Sequence, residues 1–415
     1  MYFYMTSSGT ARRALTIYVS SSSLHGSPVN DSQDNNKALG LTELLDKELQ
    51  VSMLEAALAG DRLGGTLLFF GPDGSGKSSL AFWLAAALNC TTNLGKKGPC
   101  GSCSSCRKVE NLIHPDLHWV FPVPGSLSKS SGTGEDQLVE AFAKKRSSPW
   151  LDLQFTAKCE HHLAAVHSIR EEAGKSRFEG RCKVFVITGA DRLRTEAANS
   201  LLKLLEEPLP EVVLILCSDR PAGLLPTILS RCQRLRVNRP RTSTLEAVLR
   251  ERFGVDPALA RELVAASDGT LTLALRMKDR ETFDVQKMWV DKSLTAALED
   301  AVAPCYQLVE DRSGPMWNRG DFERYLAFLA QAVRDILIYR LQAESAAESD
   351  SGVAMAIFRV RDYSRRVGDI DSLISLLGRL ISLQDQLNRN VNLRLLGWSI
   401  LQNLREVVTH GRRDR

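Results

Sequence analysis

The sequence Gly71-Pro72-Asp73-Gly74-Ser75-Gly76-Lys77-Ser78 fits the pattern G-x-x-x-x-G-K-[ST], which is typical of a phosphate-binding P-loop. An apolar stretch at residues 66–70 precedes it, and a helical segment with an apolar face at residues 79–88 follows it. A strand, a glycine-rich loop and a helix, in this order, form the context in which the pattern binds phosphate. A Gly/Ser-rich turn without a ligand is the alternative, and both flanks speak against it. The stretch therefore predicts an α/β fold that binds a nucleotide, and it leaves hydrolysis as a separate question.

The chemistry of such a loop assigns roles to its residues. Glycines let backbone N–H groups converge on phosphate oxygens, and the amino end of the following helix adds its positive partial charge. Lys77 is predicted to reach the β- and γ-phosphates, and the hydroxyl of Ser78 is predicted to ligate Mg²⁺. The predicted nucleotide-binding residues of this segment are Gly71, Gly74, Ser75, Gly76, Lys77, Ser78 and Ser79.

Four cysteines follow in the spacing C-x9-C-x2-C-x2-C, namely Cys90, Cys100, Cys103 and Cys106. Four thiolates at this spacing can surround one tetrahedral Zn²⁺ and leave no position for water, so the predicted role is structural. Disulfides are one alternative, but an ATP-binding P-loop belongs in the cytosol, where thiols stay reduced. An iron–sulfur cluster uses the same ligands, and zinc is favoured over it because nothing else in the sequence suggests redox chemistry. The other five cysteines are scattered and are predicted to be small buried hydrophobic residues: Cys159, Cys182, Cys217, Cys232 and Cys305.

Length and composition set the outer limits. The chain has 415 residues, enough for two or three domains, and its 25% charged and 44% hydrophobic content is that of an ordinary globular protein. No apolar run is long enough for a bilayer-spanning helix, so no membrane role is expected. The net charge of +4 is too small to indicate nucleic-acid binding by itself. Residues 1–40 are rich in Ser and Asn, and they are predicted to be a disordered extension or an over-extended reading frame.

Beyond the cysteines, apolar strand-like and helical segments alternate, which predicts a parallel α/β sheet. Strands are expected at residues 66–70, 117–122, 183–188 and 212–217, and a helix is expected at residues 195–208. Residues 125–149 are polar and are predicted to be a mobile surface insertion. After Thr242 only helical patterns remain, including those at residues 322–338, 354–367 and 373–387. The predicted domains are therefore 41–238 with the cysteine module at 90–106, a small helical domain at 239–280, and an all-α domain at 281–415.

Several motifs together resemble the bacterial DNA polymerase III clamp-loader subunits of the gamma/tau and delta-prime types. They are the P-loop, the four-cysteine array, His114-Pro115-Asp116, the helix Ala197–Pro208 with its A-x-N-[AS]-L-L-K-x-L-E-E-P pattern, and Ser230-Arg231-Cys232. The resemblance covers roughly residues 41–280 and matches the C-terminal helices only in class. It implies an α/β AAA+ P-loop NTPase domain with a zinc-binding module, then a small helical lid domain and an all-α C-terminal collar domain.

The family resemblance also implies partners and further site residues. In that family, five subunits including gamma/tau and delta form a ring in the cytoplasm, which opens a sliding clamp and places it on primed DNA. ATP lies between subunits, and Arg231 matches the arginine that one subunit donates to its neighbour. Without the resemblance, Arg231 would be a surface arginine of a solvated basic face that includes Arg234 and Arg236. Ser218 occupies the sensor region and could contact a γ-phosphate or a water.

Two departures from the ATPase pattern bear on catalysis. The Walker B position, which needs a carboxylate for Mg²⁺ and water, holds Thr188-Gly189. Asp191 could reach the site only if the strand end bends, so a structural role is predicted for it. The position of the lid arginine holds Thr272. A delta-prime-type subunit that binds ATP and Mg²⁺ but hydrolyses ATP weakly or not at all is therefore expected. The alternatives are a gamma/tau-type motor, a stand-alone P-loop NTPase in DNA repair, and a ring component without nucleotide.

Overall fold

The computed structural model of the chain describes residues 40–124, 145, 159–206, 209–267, 269–298, 302–344, 364, 369–387 and 391–413. The predicted extension at 1–40 lies outside these residues except for Gly40, and the predicted insertion at about 125–149 lies outside them except for Lys145. Of the helix expected at 354–367, only Ser364 is described. The chain divides into two compact units, Met1–Thr244 and Leu245–Arg415. The predicted boundary near residue 280 falls inside the second unit and stays a prediction.

The first unit is built around a parallel sheet. Its strands, in chain order, are β1 (Thr66–Phe70), β2 (Leu117–Val120), β3 (Val123–Pro124), β4 (Cys159–Glu160), β5 (Lys183–Ile187), β6 (Val212–Ser218) and β7 (Gln233–Arg236). Five of them form one sheet in the order β2-β5-β6-β1-β7, with every neighbouring pair parallel. The remaining two, β3 and β4, form a separate antiparallel pair. The four expected strands and the parallel α/β sheet are thus confirmed, with strand ends that shift by one or two residues.

Helices cover both faces of this sheet because strand side chains alternate between the faces. The helices of the first unit are α1 (Glu48–Ala59), α2 (Lys77–Leu88), α3 (Ser104–Glu110), α4 (Leu163–Ala173), α5 (Thr195–Glu206) and α6 (Pro226–Leu229). Leu67 and Phe69 of β1 pack in the cluster that contains α2, whereas Leu68 packs in the cluster that contains α4 and α5. The central strands are buried on both faces, as expected for a parallel sheet.

One strand was missed by the sequence analysis. The segment Gln233–Arg236 pairs with β1 as an edge strand, although its sequence predicts only a basic surface segment after Arg231. Three of its four residues are exposed and only Leu235 is apolar, so the segment lacks the continuous apolar run that marked the central strands. Its pairing with β1 comes from tertiary structure, which overrides a weak local pattern.

The second unit is helical. It contains most of α7 (Thr242–Phe253), and then α8 (Pro257–Ala266), α9 (Leu271–Arg276), α10 (Arg280–Leu298), α11 (Val302–Glu310), α12 (Arg319–Glu344), α13 (Ile370–Gln386) and α14 (Leu393–Arg413). The helices expected at 322–338 and 373–387 lie within α12 and α13 to within one residue. Phe283 and Phe328 meet edge to face at 5.3 Å, and the hydroxyl of buried Tyr325 donates to Ser293 Oγ at 2.8 Å. Within the described part of the chain, no helix combines the length and the apolar character that a membrane span needs.

Candidate nucleotide-binding and metal-binding sites

The P-loop connects β1 to α2 at the carboxyl edge of the sheet. Gly74 and Gly76 have φ values of 73° and 81°, in the left-handed region that glycine adopts without strain. Gly71 must be glycine for a different reason, because a Cβ there would lie 2.0 Å from the carbonyl oxygen of Val237. The predicted residues from Gly71 to Ser79 therefore lie together in one turn and the first helical turn after it.

Lys77 points back into this loop rather than into solvent. Its Nζ donates to the carbonyl oxygens of Gly71 at 2.9 Å and Pro72 at 2.7 Å, and it lies 3.2 Å from Ser75 Oγ. The same Nζ forms a salt bridge of 2.7 Å with Asp219 Oδ1. Asp219 has no predicted role, and its local signal in the sequence is its position one residue after Ser218, just beyond a predicted strand.

The end of β5 carries no carboxylate, but the turn that follows it places the carboxylate of Asp191 beside the end of β6. Thr188 is held by its neighbours, since Trp119 Nε1 donates to its Oγ1 at 3.2 Å. Gly189 has a φ of 63°, and a 3₁₀ turn at Ala190–Arg192 follows it. This turn brings Asp191 Oδ1 to 3.0 Å from Ser218 Oγ. The chain therefore bends at the end of β5, and Asp191 lies beside the end of β6.

The hydroxyl group of Ser218 is already hydrogen-bonded to other groups of the protein. Its side chain is fully buried, and its Oγ donates to Asp191 and accepts the N–H of Arg220 at 3.2 Å. The predicted contact of Ser218 with a γ-phosphate or water would require this arrangement to change. The structure thus brings Lys77, Asp191, Ser218 and Asp219 together at one edge of the sheet.

Arg231 lies away from this edge. Strand β7 runs parallel to β1 with Gln233 opposite Leu67 and Arg236 opposite Phe70. Arg231 precedes the amino end of β7, whereas the P-loop follows the carboxyl end of β1. The three residue steps from Gln233 to Arg236 alone span about 10 Å. Arg231 therefore lies at the amino ends of the strands, whereas the P-loop of the same chain lies at their carboxyl ends.

The guanidinium of Arg231 already has partners in the isolated chain. Its Nη2 lies 2.9 Å from Glu206 Oε1, at the end of α5, and its Nη1 donates to the carbonyl oxygen of Thr227 at 3.0 Å. Both charged side chains are substantially exposed to solvent, so this ion pair contributes little to stability. Thr272, at the lid position that lacks an arginine, lies in α9 and is buried.

The four cysteines converge on one point. Their Sγ atoms all lie within 4.8 Å of one another, so the cluster could hold a metal ion. Backbone N–H groups point at three of these sulfurs, from Asn93 to Cys90 at 3.3 Å, from residue 103 to Cys100 at 3.3 Å, and from residue 106 to Cys103 at 3.4 Å. Such donors stabilise thiolates, which are the metal-binding form of cysteine.

The pKa values of these thiols differ with their surroundings. Contacts with the Thr92 and Ser102 hydroxyls lower the pKa of Cys100 to about 5. Slight burial raises the pKa of Cys103, but hydrogen bonds from Thr91 and the N–H of Cys106 outweigh it and lower the value to about 7. Burial raises the pKa of Cys106. The donor set suits a cation that displaces the remaining protons.

The cysteines outside the cluster are mostly buried. All nine cysteines lie in the described part of the chain, and none of them forms a disulfide. Of the five outside the cluster, four are buried as predicted, and Cys159 is only partly buried.

Asp116 is 1% exposed, and its carboxylate accepts the backbone N–H groups of Phe178, Glu179 and Gly180 at 2.7, 2.9 and 2.6 Å. It thereby fixes the loop that leads into β5.

The sequence comparisons show similarity to DNA polymerase III subunits. Residues 46–241 match the family model described as DNA polymerase III, delta subunit. The delta-prime subunit of DNA polymerase III from Bacillus subtilis is 26% identical over 357 residues, which cover 86% of this chain and 95% of that protein. The Haemophilus influenzae delta-prime subunit is 29% identical over 278 residues, which cover 66% of this chain and 70% of that protein.

A gamma/tau-type relative matches over a shorter region. The tau subunit of Salmonella typhimurium is 28% identical over 243 residues, which cover 57% of this chain and 32% of that longer protein. The two delta-prime matches cover larger shares of the matched proteins, 95% and 70%. The chain is thus similar to delta-prime subunits of the bacterial DNA polymerase III clamp loader, and these matches support a delta-prime-like protein.

Proposed function

We propose that this chain is a delta-prime-type subunit that assists ATP-dependent loading of a sliding clamp onto primed DNA. It would assemble with gamma/tau-type and delta subunits in a heteropentameric ring and act in the cytoplasm during DNA replication. Its similarity to delta-prime subunits over 357 and 278 residues supports this proposal. The second, helical unit supplies a candidate collar for assembly.

The observation that carries the proposal is the separation of two functional elements on one sheet. The P-loop lies at the carboxyl edge next to a Walker B position, Thr188-Gly189, that lacks a carboxylate. Arg231 lies at the other edge, where it cannot serve the nucleotide of its own chain. The chain would therefore bind Mg²⁺ and ATP through the P-loop, with Ser78 as the magnesium ligand, and hydrolyse ATP poorly. Arg231 would neutralise charge that develops on the phosphoryl group bound by a neighbouring subunit.

The four-cysteine cluster has a separate, structural role in this proposal. Zn²⁺ held by Cys90, Cys100, Cys103 and Cys106 would tie the end of α2 to the start of α3. Four thiolates complete the coordination of zinc, so the ion would take no part in phosphoryl transfer. The convergence of the four sulfurs and the backbone N–H groups that point at three of them support zinc at this position.

Reconstitution with gamma/tau-type and delta subunits tests the proposal. The measured quantity is the ATPase rate that clamp and primed DNA stimulate. The isolated chain should show negligible turnover, and Arg231→Ala should lower the rate of the complex by the share of one interface while leaving the chain folded and assembled. Arg234→Ala, which removes an exposed arginine of β7, is the matched control and should have a small effect. Equal small effects of both substitutions would leave Arg231 as part of a solvated basic face and overturn its assigned role.

One observation favours a second candidate, a gamma/tau-type motor. Because the chain bends after β5, Asp191 reaches Ser218 beside the P-loop and could replace the missing Walker B carboxylate. Under this alternative, the purified chain would hydrolyse ATP alone, and Asp191→Asn would abolish the activity. Turnover that survives removal of contaminating motor subunits and requires Asp191 would favour this function over the delta-prime proposal.

A further inference from the structure

The ammonium of Lys77 has no donor left for a phosphate oxygen. A lysine ammonium carries three N–H donors. Two of them serve the carbonyl oxygens of Gly71 and Pro72, at 2.9 and 2.7 Å, and the carboxylate of Asp219 lies at 2.7 Å as the third close acceptor. The longer contact to Ser75 Oγ at 3.2 Å completes the surroundings of a side chain that is only 7% exposed. A phosphate that binds Lys77 must therefore displace one of these acceptors.

Of these acceptors, Asp219 is the one that can leave. The start of the P-loop is held on both sides, because the Gly71 N–H donates to the Ser218 carbonyl oxygen at 3.3 Å and Val237 packs against the Gly71 Cα. The two loop carbonyls are therefore fixed relative to Lys77. The carboxylate of Asp219 belongs to a side chain that is 31% exposed and can turn toward solvent about its own rotatable bonds.

The backbone of Asp219, in contrast to its side chain, is held beside the P-loop by the β1–β6 register and by Asp191. Phe70 and Ser218 are partners in the β1–β6 register, so the residues after them, Gly71 and Asp219, emerge side by side. Asp191 Oδ1 accepts two hydrogen bonds, one from the Ser218 hydroxyl at 3.0 Å and one from the Asp219 N–H at 3.3 Å. Asp191 thus anchors the end of β6 while the carboxylate of Asp219 faces the P-loop lysine.

We infer that Asp219 is an internal competitor for Lys77 and sets the nucleotide affinity of the P-loop. This inference rests on the proposed binding of ATP at this loop. The carboxylate occupies the donor that a β- or γ-phosphate oxygen needs, and ATP or ADP binds only after the ion pair opens. Once displaced, Asp219 remains close to the phosphates, where its charge further weakens binding.

The test compares the dissociation constant of a fluorescent ATP analogue for the full chain and three variants. Asp219→Asn should tighten binding about three- to tenfold, both in Mg²⁺ and in EDTA, because it removes the competing charge from Lys77. Asp284→Asn removes one carboxylate from an exposed ion pair with Arg280 and is the matched control for net charge. Lys77→Ala should abolish binding, which tests the proposed nucleotide site independently.

The outcomes separate the inference from the proposed function. Measurable binding that depends on Lys77 but is unchanged in Asp219→Asn would overturn the inference and leave nucleotide binding intact. Weaker binding of Asp219→Asn in Mg²⁺ alone would also overturn it, because Asp219 would then be a magnesium ligand. If the unmodified chain binds no nucleotide, binding gained by Asp219→Asn would support the inference. Absence of binding in both would overturn it together with the proposed nucleotide site.

Discussion

Replacing Asp116 by asparagine should loosen the loop that leads into β5. The Asp116 carboxylate uses Oδ1 for the N–H of Phe178 and Oδ2 for the N–H groups of Glu179 and Gly180. In Asp116→Asn one oxygen becomes an NH₂ group, which cannot accept. The amide oxygen can keep the pair at Glu179 and Gly180, and the N–H of Phe178 then loses its partner.

The size of the effect follows from these three bonds. Hydrogen bonds to a charged group contribute about 1.5–3 kcal/mol each, and bonds to a neutral group contribute about 1 kcal/mol. Losing one charged bond costs at least about 1.5 kcal/mol and neutralising two others costs at least about 0.5 kcal/mol each, so the total should be at least about 2.5 kcal/mol. That free energy corresponds to an increase in the local opening constant on the order of 100-fold.

Native-state hydrogen exchange is the suitable assay, because a chain with two compact units need not unfold in one step. Amides of Phe178, Glu179 and Gly180 should exchange on the order of 100-fold faster in Asp116→Asn at neutral pH. Asp256→Asn is the matched control, since Asp256 is an N-cap that accepts two backbone N–H groups, and Asn caps helices equally well. Unchanged exchange in Asp116→Asn would refute the assignment of this loop's stability to the buried carboxylate.

The pH dependence provides a second check on the same residue. Burial raises the pKa of Asp116, but the three backbone N–H groups outweigh it and hold the value below its ordinary 3.8. The stabilisation is therefore fully present above pH 3.8 and is lost as the pH falls through the lower pKa of the folded state. The difference in amide exchange rate between the unmodified chain and Asp116→Asn should be constant near neutral pH and should shrink only in acid.

Two further substitutions test the metal cluster and the candidate arginine finger. Protein prepared without chelator should contain about one zinc per chain; Cys106→Ser should lower zinc retention measured by metal analysis, whereas Cys232→Ser, a buried cysteine outside the cluster, should not. An iron–sulfur absorbance or absence of metal would contradict the zinc assignment. Glu206→Gln removes the partner that holds Arg231 in the isolated chain, and it should raise the clamp-stimulated ATPase of the complex by at most about fivefold, since exposed pairs are weak. A fall as large as that of Arg231→Ala would instead make Glu206 a positioning residue.

Sequence patterns predicted those parts of the structure that depend on local order. The P-loop and the central strands were identifiable because their glycines and apolar runs are contiguous in the chain. Lys77 and Asp219 are 142 positions apart in the chain. Their pairing depends on the β1–β6 register, which leaves no mark in either segment. The return of Asp191 to Ser218 likewise depends on the backbone bend at Gly189, and a glycine alone does not reveal the direction of a turn.

The 12-residue helix α2 begins at Lys77 in the P-loop, and only Asn89 separates its end from Cys90 of the cysteine cluster. Its length of about 18 Å is one rigid element, with nine of its residues buried. A ligand at either end stabilises the same folded helix, and thermodynamic reciprocity requires that any effect of one ligand on the affinity of the other be returned in equal measure. The helix is therefore a physical link through which loss of the metal could reach the phosphate-binding loop without any direct contact between the two.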